Sequence, residues 1–266
     1  MKLLTFARDL KRRRAREREH AFVVEGVRAV EELLASPLRI RGALVAPQLD
    51  GAPRGTALRD ALAQAAGPRD FGVLAVDEHD FRSAAETESP QGVLAIADVP
   101  DRSFESIHIG SAARILVLDG VQDPGNVGTI LRTAAALGVD ATVALPGTVD
   151  LWNAKVVRGS MGAHFRHHAF HAPIEALRDY LDQQRIALWA TGANGESVDA
   201  WLETSPPPDR LAIAVGNEGA GITPALAAAA ERTVALPIRD VESLNVAVAT
   251  GIMLYALRPA DFARRP

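Results

Sequence analysis

Cysteine is missing from all 266 residues, which removes disulfides, thiolate nucleophiles and Cys-based metal sites and fits a reducing compartment. No apolar run is long enough to span a bilayer. No apolar h-region follows the first residues, so a cytoplasmic chain without a membrane partner is expected. HExxH is absent too. His164, His167, His168 and His171 make two i,i+4 pairs, but the second pair crosses a stretch that reads as strand, so no metal site is expected. No Walker sequence is present. The first glycine-bearing loop of the C-terminal half reads GVQDPGNVG rather than GxGxxG, which argues against a nucleotide-binding dehydrogenase. A strong charge is lacking as well: 29 Lys and Arg against 33 Asp and Glu leave −4.

The charge is unevenly placed. Residues 1–20 carry eight Lys or Arg against three acids, a net +5, so the rest holds −9. A basic segment on an acidic body is what local phosphate contact needs, and a solvated basic helix is the plain alternative. With 48% hydrophobic and 23% charged residues the chain is globular, with room for one large or two ordinary domains.

In the N-terminal half, apolar runs at 40–46, 72–76 and 92–96 read as strands. Residues 22–35 show helical spacing after a short strand-like start, and 60–66 and 78–85 hold helical patterns, so a small α/β domain is expected over 1–98. Residues 99–112, with Pro100 and Gly110 and no clear period, read as a linker.

The second half alternates again. Strands are expected at 114–118, 140–145, 166–170, 186–191, 211–215 and 233–236. A helix from Asn126 puts Asn126, Thr129, Arg132 and Thr133 on one edge, with Val127, Ile130, Leu131, Ala134 and Leu137 opposite. Residues 153–165 read as one helix carrying Lys155 and Arg158. Residues 191–195, TGANG, read as a loop at a strand end. After strand 211–215 come Gly216, Gly219 and Gly221, residues that let a ligand lie against bare main chain. Ser243 is the expected N-cap of a final helix.

Three pieces stand in order: NVGTILRTAAALG at 126–138, GNEGAGIT at 216–223 and SLNVAVATG at 243–251. Together they resemble the SPOUT superfamily of RNA methyltransferases in its SpoU/TrmH branch, and the run from Arg12 to Leu34 resembles the substrate-binding domain that often precedes it. The resemblance implies an α/β trefoil-knot (SPOUT) domain over 113–266, preceded by a ribosomal-protein-like α/β/α sandwich. It implies S-adenosyl-L-methionine-dependent 2′-O-methylation of RNA, ribosomal before transfer RNA, by a homodimer. A non-catalytic RNA-binding protein of the same fold stays open. The resemblance also assigns catalysis to Asn126, Arg132, Glu218, Ser243 and Asn245. It assigns the cofactor to Thr191, Gly192, Gly216, Asn217, Gly221, Leu236, Ile238 and Leu244. RNA contact falls to Lys11, Arg12, Arg13, Arg14, Lys155 and Arg158. Deleting residues 1–20 is then expected to weaken RNA binding alone.

Overall fold

The structure, a computed structural model, describes residues 2–259 and residue 262. In chain order it begins α1 (Lys2–Asp9), α2 (Arg13–Glu19), β1 (Ala21–Glu25), α3 (Val27–Leu34), β2 (Ile40–Val45), α4 (Pro53–Ala66), β3 (Gly72–Ala75), α5 (Glu78–Ala84) and β4 (Val93–Asp98). There follow β5 (Ala113–Asp119), α6 (Pro124–Ala136), β6 (Ala141–Ala144), α7 (Ala154–Gly159), α8 (Ala163–Arg166), β7 (Ala169–His171) and α9 (Ile174–Gln184). The chain ends β8 (Ala187–Ser197), α10 (Val198–Thr204), β9 (Arg210–Gly216), α11 (Pro224–Ala229), β10 (Arg232–Ala235) and α12 (Val246–Ala256). Two units form. One holds residues up to Asp101 together with Trp152–Arg166, and the other holds Arg102–Leu151 and the described residues from His167 on.

The first unit is built on a four-stranded sheet in the order β1-β4-β2-β3, antiparallel except for the β2–β3 pair. Strand alternation sends Val23, Leu44, Leu94 and Ile96 to one face, where Leu4, Ala7 and Leu10 of α1 and Phe81 and Ala84 of α5 cover them. Helices α3 and α4 pack with each other, α3 against β1 and β4 and α4 against β3, which makes an α/β/α sandwich.

The basic N-terminal stretch is therefore partly structural. Lys11 Nζ donates to the carbonyls of Ser83 and Ala85 at 2.7 Å, capping the end of α5. Arg16, 6% exposed, donates to the carbonyls of Leu10 and Lys11 beyond α1. Arg12 pairs with Asp9 and Arg13 with Glu17, while Arg14 is exposed.

Residues 153–165 do not form one helix. Met161 at φ 51° and Gly162 at φ 85° break them into α7 and α8. A Cβ on Gly162 would lie 2.5 Å from Glu32 Cβ, so only glycine fits there. Trp152 packs on Phe22 with ring centroids 4.3 Å apart and stacks on buried His164 at 4.0 Å. Arg158 faces Glu25 at 3.9 Å, and Arg166 pairs with Glu32. Glu25 is buried and accepts from the Glu86 amide and the Thr87 hydroxyl. Arg158 is thus aligned with a buried carboxylate rather than free on an exposed helix, while Lys155 is exposed, as is the paired Arg166.

The second unit has a six-stranded parallel sheet in the order β10-β8-β9-β5-β6-β7. Every residue of β5 is buried, as expected for a parallel strand covered on both faces. One face packs Ile115, Val117, Val143, Ala212 and Ala214 against Leu177 and Leu181 of α9 and Leu226 of α11. Residues 102–112, read above as linker, join this face. Phe104 stacks on Tyr180 at 4.7 Å, and Ile107 and Ile109 pack on the same core. Helix α12 packs against α6 and β9. Buried Arg114 ties the end of α12 to the start of β5, donating to the carbonyls of Leu257 at 2.6 Å and Asp209 at 2.7 Å. No helix of the described residues is long and apolar enough to cross a membrane.

Two local expectations are corrected. Residues 191–195 are not a terminal loop but lie inside β8. Its pairing with β10 jumps from Thr233–Ala190 to Val234–Glu196, so the five residues bulge out of the ladder. The N-cap of α12 is Asn245, not Ser243: its Oδ1 accepts from the amides of Ala247 at 2.9 Å and Val248 at 3.3 Å. Of the four histidines, His164 lies in the first unit and the others in the second. There, His167 bonds the Thr142 hydroxyl at 2.7 Å and His168 the Ser103 carbonyl at 3.0 Å. Among the described residues no group of three or more His, Asp or Glu is placed to hold a metal ion.

Candidate active site

Parallel strands bring their carboxyl ends to one edge of the sheet, and open α/β sheets form crevices there. At this edge the bulge of β8, the ends of β9 and β10, and the start of α12 surround a cleft of about 280 Å³. All eight residues expected to hold a cofactor line it: Thr191, Gly192, Gly216, Asn217, Gly221, Leu236, Ile238 and Leu244. Glu218 and Ser243 line it as well. Sequence reasoning missed Glu242 and the inner wall of Val246, Ala249, Thr250 and Met253. Their i, i+3, i+4, i+7 spacing was visible, but a helix face turned to a cleft reads like one turned to a core.

The loop after β9 is held from within. Asn217 Oδ1 accepts from the amides of Gly219 and Ala220, both at 2.9 Å, and its Nδ2 donates to the Gly120 carbonyl at 2.9 Å. Its main chain exchanges two bonds with Gly221, at 3.0 and 2.9 Å. Gly216 lines the cleft, yet the space its Cβ would take is filled by the loop itself, 2.2 Å from Gly221 C. Gly221 sits at φ 71° with nothing within 4 Å of a Cβ, so its main chain faces open space.

A hydrogen-bonded chain joins three elements beside the cleft. Asn245 Nδ2 at the start of α12 donates to Asn126 Oδ1 on α6 at 3.0 Å. Asn126 Nδ2 donates to Glu218 Oε1 on the loop at 2.9 Å. Helix α6 is set for this by Asp123, whose carboxylate accepts the Asn126 amide at 2.7 Å, and by Pro124 in its first turn. Asn126, Thr129, Arg132 and Thr133 form its less buried edge, and Val127, Ile130, Leu131 and Ala134 are buried. Arg132 is exposed and makes no hydrogen bond or ion pair with the described residues. The structure thus brings together Asn126, Glu218 and Asn245 by direct contact and Ser243 by the shared cleft, with Arg132 on the same helix as Asn126.

The cleft therefore combines apolar walls, exposed main chain and two carboxylates, Glu218 and Glu242, with no Lys, Arg or His among the described residues that line it. It can take a partly apolar ligand that carries positive charge, and the helix that Asn126 ties to its walls also carries an exposed guanidinium, Arg132, able to meet an anionic reactant.

The chain is similar to known proteins over most of its length. The model of the SpoU rRNA Methylase family matches residues 113–255, and that of the MRM3-like substrate binding domain matches residues 4–95. A Bacillus subtilis protein named 23S rRNA (guanosine(2553)-2′-O)-methyltransferase is 32% identical over 255 residues, 94% of each chain. A solved RNA 2′-O ribose methyltransferase is 30% identical with a TM-score of 0.79, covering 96% of this chain and 94% of its own. An rRNA methyltransferase from Sinorhizobium meliloti, solved with S-adenosylmethionine bound, is 29% identical with a TM-score of 0.78, covering 96% and 93%.

Proposed function

The chain belongs to the SpoU rRNA methylase family, and from that premise we propose that it methylates a ribose 2′-hydroxyl of ribosomal RNA with S-adenosylmethionine. Its fold is the SPOUT α/β knot preceded by a smaller α/β/α domain. The cleft fits the cofactor. Val215, Leu236, Leu244, Val246 and Met253 suit a purine, the bare main chain of Gly221 lets a ligand lie close, and both carboxylates are opposite in sign to a sulfonium. Thr191, Gly192, Gly216, Asn217, Gly221, Leu236, Ile238 and Leu244 would hold it. When bound, S-adenosylmethionine supplies an electrophilic methyl group.

The protein then has to align a weak nucleophile and ease the loss of its proton. The observation that carries this reading is the Asn245–Asn126–Glu218 chain, which fixes α6 to both cleft-forming segments. A guanidinium serves as a fixed charge and not as a base, and that is the role Arg132 takes. It holds an RNA phosphate and stabilises developing alkoxide, while the proton leaves to water or phosphate. Ser243 helps seat the ribose. Arg12, Arg13, Arg14 and Lys155, exposed in the first unit, meet RNA phosphates. The residues up to 98, joined by Trp152–Arg166, act as the RNA-binding domain, and the remaining residues from 113 act as the methyltransferase. Val248, Ile252 and Tyr255 form an exposed apolar stripe on α12, 46–58% accessible, which supports a homodimer, and the likeness to a bacterial rRNA methyltransferase supports the cytoplasm.

Arg132→Ala tests the assignment. Its edge of α6 is exposed, so the variant should fold and bind cofactor normally and lose methyl transfer by about two orders of magnitude. Arg132→Lys keeps charge but loses the planar fork, so rescue should be poor at every pH. Single-turnover methylation across a pH series decides, and near-normal transfer by the alanine variant ends the assignment.

A further inference from the structure

We propose that Asp119 is a positioning residue for methyl transfer, a buried carboxylate that holds the far end of the cofactor loop in its binding shape. The proposal rests on the reading of the cleft as the cofactor site. Asp119 ends β5 and pairs in register with Gly216, the last residue of β9. It is only 2% exposed, and its Oδ2 accepts the Thr223 amide at 2.6 Å. An ionised carboxylate is costly to bury and stays charged only where donors meet it. Its hydrogen bonds are then about twice as strong as neutral ones.

The partner explains the residue's place. Thr223 closes residues 216–223, the segment that supplies Gly216, Asn217, Glu218, Gly219 and Gly221 to the cleft. The neighbouring residue, Gly120, accepts from Asn217 at the near end, and Asn126 donates to Glu218 in the middle. Residues 119–126 therefore act as a mould with three fixed points, and Asp119 is the one at the far end. Gly120 is fixed in turn, since its amide donates to the Thr148 hydroxyl at 3.1 Å and that hydroxyl donates to the Leu118 carbonyl at 2.9 Å. Without the carboxylate, nothing else among the described contacts holds the Thr223 amide, so the end of the loop beyond the Asn217–Gly221 pair loses its anchor.

Asp119→Asn and Asp119→Ala in the full chain test this. The amide oxygen of asparagine can still accept from Thr223, without charge, so that variant keeps size and topology. Titration calorimetry with S-adenosylmethionine and with S-adenosylhomocysteine should show affinity falling about three- to tenfold for Asn and by more than tenfold for Ala. Steady-state methylation should show the cofactor KM rising in the same order, with kcat and the RNA KM within about threefold of the unaltered protein. A merely structural role predicts a lower melting temperature with unchanged constants per folded molecule, and that result overturns the proposal, as does an unchanged Kd in Asp119→Asn. If the unaltered protein binds neither probe, the reading of the cleft itself has failed.

Discussion

Gly216→Ala is the sharpest test of how the cofactor loop is built. A Cβ on residue 216 would lie 2.2 Å from Gly221 C, 2.4 Å from its oxygen and 2.5 Å from the Ile222 nitrogen. These are all main-chain atoms, so no rotamer change relieves the clash. Cβ contacts under 3.0 Å essentially do not occur, so the loop must retreat by at least 0.8 Å, the difference between 3.0 and 2.2. Such a shift breaks the two bonds between Asn217 and Gly221, now 3.0 and 2.9 Å long. Each is worth about 0.5–1.5 kcal/mol net, together about 1–3 kcal/mol. If the bound state needs the closed loop, that is roughly a five- to 150-fold rise in Kd. The strand itself should survive, because residues 211–215 lie before the clash and are buried between β5 and β8. Calorimetry with S-adenosylmethionine gives the affinity, and amide exchange gives the cause. A collapsed loop makes the Gly219, Ala220 and Gly221 amides exchange faster before any cofactor is added. A glycine needed only for ligand contact leaves that exchange unchanged. A Kd within threefold of the unaltered protein, or unchanged exchange with abolished binding, refutes the reasoning.

Removing residues 1–20 should do more than weaken RNA binding, because Leu4, Ala7 and Leu10 belong to the core and Lys11 caps α5. Thermal melting should show the first unit destabilised. Replacing Arg13, Arg14 and Arg18 by Gln isolates the charge: affinity should fall with the fold kept, and the salt slope should flatten by about 0.7 for each RNA phosphate no longer neutralised, read by anisotropy at several salt concentrations. An unchanged slope sinks the RNA-binding role. His167 is pushed down to about 3, first by burial and then by the charges of Arg102 and His168. The unfolded chain takes up its proton near 6.5, so this stability is present above pH 6.5 and drains away as pH falls toward 3, by about 1.4 kcal/mol per unit at most. His167→Gln should flatten that loss in urea unfolding measured between pH 7 and 4, and an unaltered slope would rule the group out.

Much of the fold was legible because parallel strands covered on both faces leave long apolar runs. RILVL and LAIAV read as strands without ambiguity, and both are fully buried. Helix α10 was not legible, because only Val198 of VDAWLET is buried and no apolar period marks it. The extent of β8 was hidden for a related reason. TGANG carries turn residues, and only the pairing of Val234 with Glu196 shows that the strand resumes beyond them. Gly195 is what allows this, since a Cβ there would come 2.6 Å from the Val234 main chain. In ESLN, serine and asparagine are both good caps, and a choice between them depends on where the backbone turns into the helix. The structure places that turn at Asn245, which frees Ser243 to face the cleft.

The candidate site shows where one-dimensional reading stops. Glycines, the polar edge of α6 and the SLN segment could be picked out one by one, since each breaks a local apolar pattern. Their meeting could not, because Asn126 bonds a residue 92 positions away and another 119 positions away. Charge is the clearest case. Lys11, Arg16 and Arg158 look in sequence like Arg14 and Lys155, but two of them cap helix ends and one faces Glu25, whose carboxylate is buried. A cation committed to a buried carbonyl or carboxylate has little left to give a phosphate, so a count of basic residues overstates the RNA-binding surface. The same logic applies to Asp119. In sequence it is one more acid in a turn, and its 2% exposure and 2.6 Å bond to a residue 104 positions on are what set it apart from Asp123, which does local capping work four residues later.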